Sequence, residues 1–163
     1  MGSNASPGLL NPPVLDAELP NAQLYEQDFV AWSESTAQLL RDRRFDEVGL
    51  EALIEEVSSL GIGQRHALAS RLVVLIKHLL KWRYQPEKRK GGWEASIIEQ
   101  RRRIARLLRT SPSLGALLEQ ECLDAYPDAR REALAETGLH GSVIPEQPAF
   151  SVGQLLDESF LPE

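Results

Sequence analysis

Asp28, Glu56, His78 and Arg101 are polar side chains that interrupt otherwise apolar helical stripes, so any chemistry in this chain would be built around them. Acids and a histidine brought together from different helices can bind a metal or move a proton, and Glu56 with His78 is the pair such an enzyme would use. The spacing argues against it. Carboxylate-bridged metal bundles use Glu-x-x-His pairs on one helix, and no such pair precedes His66, His78 or His140. The HExxH pattern of zinc hydrolases is absent as well. Nucleophilic catalysis has no better support: there is no G-x-S-x-G turn, and Cys122 sits beside Glu121 and Asp124, which raise a thiol pKa. No GxxxxGK loop is present, and Gly61-Ile62-Gly63 is too short to cradle a nucleotide. The sequence assigns no catalytic residue, no metal ligand set and no cofactor.

Charge is distributed more tellingly. Between Lys77 and Arg109 stand 11 basic residues against Glu87, Glu94 and Glu99, a balance of +8, whereas the remainder carries 7 basic and 21 acidic residues, a balance of −14. Such segregation makes one face attract anions while the rest repels them. Arg101 falls beside Trp93, Ile97, Ile104 and Leu108, and a guanidinium turned toward a core must be paired. The spacing predicts an ion pair with Glu94 or Glu56. Lys77, Lys81, Lys88, Arg89, Lys90, Arg102, Arg106 and Arg109 form the predicted anion- or partner-binding face. Its interleaving with Trp82, Tyr84 and Trp93 is a mixture suited to phosphate contact and base stacking. Trp82 and Trp93 lie on apolar stripes, however, and the whole chain is acidic. A second copy of the chain or an acidic protein is therefore favoured over nucleic acid as partner.

The elements that carry these residues read as helices. Residues 1–22, with Pro7, Pro12, Pro13 and Pro20, predict a loosely ordered leader without the basic and apolar regions of a secretory signal. Tyr25, Phe29, Trp32, Thr36, Leu39 and Leu40 predict a first helix that fails near Arg44. A second, capped by Asp46, places Leu50, Leu53, Ile54, Val57 and Leu60 on an inner face and ends at Gly61 and Gly63. A third runs from about residue 64 to Tyr84 through Leu68, Leu72, Leu75, Ile76, Leu79 and Trp82, and Pro86 limits it. Trp93, Ile97, Ile104 and Leu108 define a fourth that stops at Thr110. Ser111-Pro112 opens a fifth, which Pro127 should kink or split and Gly138 closes. The fold class is all-α, a single helical bundle of about five helices over 23–139 with an irregular strap over 140–163. A lone cysteine excludes an internal disulfide and points to a reducing, cytoplasmic setting. No run approaches the about 20 apolar residues that span a bilayer, so no membrane partner is expected.

Several segments together resemble one family. LYEQDFVAW, LIEEVSSLG, HLLKWRYQP, WEASIIEQRRRI, SPSL, DARREALAETGL and FLPE are similar to the bacterial domain-of-unknown-function family 29, over Leu24 to Glu163. The resemblance implies an all-α fold and supplies no activity, substrate or catalytic residue; Tyr126-Pro127 departs from the family's usual run. Glu51, Glu55 and Glu56 also resemble the acidic helix of all-α nucleotide pyrophosphohydrolases. Those enzymes hold magnesium between two acidic helices, and here the fourth helix offers arginines where the second set of acids would be. The sequence thus favours a non-enzymatic interaction or assembly module. Polyanion binding through the 77–109 face, and an enzyme using Glu56 and His78, are the alternatives.

Overall fold

The structure, a computed structural model, describes residues 20–163, and those residues form six α-helices, with short 3₁₀ turns at the three junctions from α2 to α5 and no strand among them. Most of the expected leader lies outside the described residues; its last two positions, Asn21 and Ala22, open a helix. No helix among the described residues is long and apolar enough to cross a membrane. The chain divides into two compact units, Met1–Ser58 and Ser59–Glu163.

In the first unit, α1 (Asn21–Gln27) and α2 (Phe29–Arg41) stand where one helix was predicted. The break is at Asp28, whose backbone is extended and whose carboxylate accepts a hydrogen bond from the Ala31 amide at 3.0 Å, an N-cap for α2. Trp32, Thr36 and Leu39 make the buried face of α2. Asn21 ties the unit together: its buried side chain donates to Thr36 Oγ1 at 2.8 Å and accepts from the Gly49 amide at 2.9 Å. That amide lies just before α3 (Leu50–Tyr84), so Asn21 supplies the capping that Asp46 was expected to give. Asp46 instead lies in a 3₁₀ turn, Phe45–Glu47. A side chain at Gly49 would lie 3.1 Å from Ala22 Cα, which is why the smallest residue stands there.

The expected second and third helices are one helix. α3 runs through Gly61 and Gly63 without interruption, and neither glycine takes a left-handed conformation. Glycine costs about 1 kcal/mol inside a helix, which is too little to end one whose hydrogen bonds continue on both sides. The predicted inner face is largely outside: Leu50, Ile54, Val57 and Leu60 are exposed, and only Leu53 is half-buried.

In the second unit, Leu68, Leu72, Leu75, Ile76 and Leu79 of α3 form the centre of the core. Ile97 and Ile104 from α4 (Gly91–Thr110) pack on them, as do Leu118, Cys122 and Ala125 from α5 (Leu118–Thr137). Ala125, Ala129 and Ala133, four residues apart, keep the packed face of α5 low enough for close approach. Ser111-Pro112 opens a 3₁₀ turn, Pro112–Leu117, and α5 begins after it. Pro127 does not split α5. It is exposed, as is Leu123, whose carbonyl loses its helical partner, so water can satisfy that group. Gly138 closes α5 in the left-handed conformation at φ 71°. The tail buries Ile144, Phe150 and Leu155 and includes α6 (Val152–Leu156), which packs against α4 and α5.

Candidate interaction surfaces

The predicted polar cluster divides between the units. Asp28 and Glu56 belong to the first; His78 and Arg101 belong to the second. Asp28 is engaged as a helix cap. Glu56 accepts a 2.7 Å hydrogen bond from the Tyr25 hydroxyl, which with burial and the nearby acids pushes the phenol up to about 12. His78 is half-buried, and its Nδ1 donates to the Val74 carbonyl at 2.8 Å. Burial, reinforced by Lys81 and Lys77, holds its pKa below the ordinary value, so the neutral ring is favoured. Among the described residues no three His, Cys, Asp or Glu side chains are grouped so as to hold a metal ion.

Arg101 is 4% exposed and, against the expectation of Glu94 or Glu56 as its partner, pairs with main-chain carbonyls, while Glu56 is engaged by Tyr25. Nε donates to the Leu155 carbonyl at 2.8 Å and a terminal nitrogen to that of Gln154 at 3.2 Å. These are last-turn carbonyls of α6, which a five-residue helix cannot satisfy itself. A buried charge calls for a partner, and here paired main-chain dipoles serve in place of a carboxylate, with Asp157 and Glu158 supplying nearby negative charge. Arg130 clamps the same tail, donating to the carbonyls of Ile144 at 2.9 Å and Gly141 at 2.5 Å. The sequence reading missed Arg130. It also missed the capping box of Ser151 and Gln154, although the S-x-x-Q spacing that announces such a box was there to read.

The basic face is partly consumed. Lys77 pairs with Glu132 at 2.9 Å and Glu136 at 2.8 Å, and Lys81 with Glu136 at 2.5 Å, all acids of α5. The two ammonium groups hold the Glu136 carboxyl down at about 2. Lys81 is buried with its nitrogen 4.6 Å from the centre of the Trp93 ring. Arg89 donates to the carbonyls of Trp82 at 2.9 Å and Pro162 at 3.3 Å, so it too holds structure. Arg102 and Arg103 pair with Glu99. Lys88 and Lys90 are exposed in the loop before α4, and Arg106 and Arg109 are exposed without an ion pair among the described residues.

Two apolar features remain. In the first unit Leu50, Ile54 and Val57 are 59%, 51% and 59% exposed and recur at helical spacing on α3, beside exposed Glu51 and Glu55. Such a row is what a helix presents to another helix. In the second unit a cavity of about 500 Å³ lies among Ile76, Leu118, Cys122, Phe150, Val152 and Leu155. Burial, then Glu121 and Glu119, pushes the Cys122 thiol up to about 11, so it is a poor nucleophile.

Fold and surfaces together define an all-α protein whose exposed features are an apolar helix face and a thinned basic face. The chain belongs to the family described as Domain of unknown function DUF29, whose family model matches residues 24–161. No curated protein and no solved structure matches it.

Proposed function

We propose that this protein is a non-enzymatic helical interaction module that associates through the start of α3. One observation carries the reading: Leu50, Ile54 and Val57 stand in a row in solvent, where burial against a partner would gain roughly 25 cal/mol for each Å² of apolar surface covered. Scattered exposed hydrophobic residues need no explanation, but a helical row of them does. Light scattering on the eluting protein tests it. The wild type is expected to run above the monomer mass, and Ile54→Glu to return it to the monomer without a change in circular dichroism. Indistinguishable masses for the two would remove the reading.

Polyanion binding is the second reading, supported by Lys88, Lys90, Arg106 and Arg109, which lie exposed. It is the weaker of the two, because Glu132 and Glu136 already neutralise Lys77 and Lys81, and Arg102 and Arg103 share Glu99. Oligonucleotide affinity that falls linearly in log–log with salt, with a slope reduced by Arg106→Gln, would favour it.

A further inference from the structure

Which partner suits the start of α3 can be argued from charge and spacing. The exposed row Leu50, Ile54, Val57 advances by four residues and then three. On α4 the exposed residues Ile98, Arg102, Ala105 and Arg109 advance by four, three and four. Both are the rhythm of two helices laid side by side with their seams in contact. The surroundings of the two rows have opposite signs. Residues 20–58 carry nine acids and three bases, and Glu51 and Glu55 flank the α3 row directly. α4 carries five arginines against Glu94 and Glu99, and Arg106 and Arg109 have no acid paired with them among the described residues.

Resting on the reading that the start of α3 is an interaction face, we propose that its partner is the outer face of α4 in a second copy of this chain. A symmetric α3–α3 contact would bring Glu51 and Glu55 of both copies together, and like charges at an interface oppose association. An α3–α4 contact instead sets Leu50, Ile54 and Val57 against Ile98 and Ala105, with the glutamates facing Arg102, Arg106 and Arg109. Because the two surfaces differ, each copy offers one of each. Copies then associate as a reciprocal pair, α3 of each on α4 of the other, or in a longer head-to-tail series.

A charge exchange tests this. One variant carries Arg106→Glu and Arg109→Glu, the other Glu51→Lys and Glu55→Lys; all four positions are exposed, and thermal melts verify that both variants fold. In sedimentation velocity the wild type should form a dimer or larger species whose mass falls as sodium chloride is raised. Each variant alone should associate at least about tenfold more weakly, the loss expected from about 1.4 kcal/mol. Their equimolar mixture should regain the wild-type distribution, since every contact between unlike copies is again acid against base. If the arginine variant assembles as the wild type does while Ile54→Glu does not, the α4 partner is wrong and the α3 face stands. A wild type that remains monomeric overturns both.

Discussion

Arg101 Nε donates to the Leu155 carbonyl oxygen at 2.8 Å, so a buried cation of α4 holds the end of the C-terminal helix by its main chain. Removing the guanidinium leaves two carbonyls short of a donor and opens a void at 4% exposure. Arg101→Ala should cost about 2–4 kcal/mol. Arg106→Ala, on the outer side of the same helix, should stay within about 0.5 kcal/mol of the wild type. Urea titrations compare the two. A double-mutant cycle between Arg101 and Glu94 should give no coupling, because these side chains form no ion pair.

The Lys77–Glu136–Lys81 group sets an acid limit on stability. The folded carboxyl of Glu136 titrates at about 2 against an ordinary 4.5. A depressed carboxyl adds stability above its unfolded pKa, and that stability is lost as pH falls from about 5 through about 2. The carboxylate is 42% exposed, so the contribution after solvent screening is on the order of 1 kcal/mol. Urea midpoints measured from pH 7 to pH 2 should show Glu136→Gln below the wild type at neutral pH and level with it at the acid end.

Apolar periodicity read the second unit well, because its helices bury one continuous stripe. Leu68, Leu72, Leu75, Ile76, Leu79, Trp93, Ile97 and Ile104 are all buried as their spacing predicts. The first unit was read less well, since its elements are set by single polar groups. Asp28 ends one helix and caps the next, and Asn21 caps from a distance of 28 residues, which no local pattern reveals. The stripe Leu50, Ile54, Val57 was visible as a stripe, but periodicity does not say whether a face meets the chain's own core or another molecule. Arg101 was placed inside correctly. Its partners escaped the reading because main-chain carbonyls carry no side-chain signature.

Three glycines in and just before α3 face opposite demands. Nothing lies within 4 Å of a side chain added at Gly61 or Gly63, and both have helical backbones. Gly61→Ala and Gly63→Ala should each raise stability by about 0.5–1 kcal/mol. Gly49→Ala should lower it, because its methyl would crowd Ala22 Cα at 3.1 Å. Thermal melts of the three variants decide the matter; a loss at Gly61 or Gly63 would point to a turn instead of a helix.

Cys122 should be inert in the folded protein. Its thiol titrates at about 11 in place of the ordinary 9.0, which lowers the thiolate fraction about 100-fold at pH 8. Alkylation by iodoacetamide should be slower than in urea by at least that factor, and a reaction as fast in the native protein would show the side chain to be accessible and activated.

Association through the α3 face is tested by sedimentation velocity of the wild type across a wide concentration range. Weight-average mass should rise with concentration above the monomer value. It should stay at the monomer value for Val57→Glu, which puts a charge into the row without touching the buried core. A wild type that sediments as a monomer throughout, or a Val57→Glu variant that follows the wild-type curve, would contradict it.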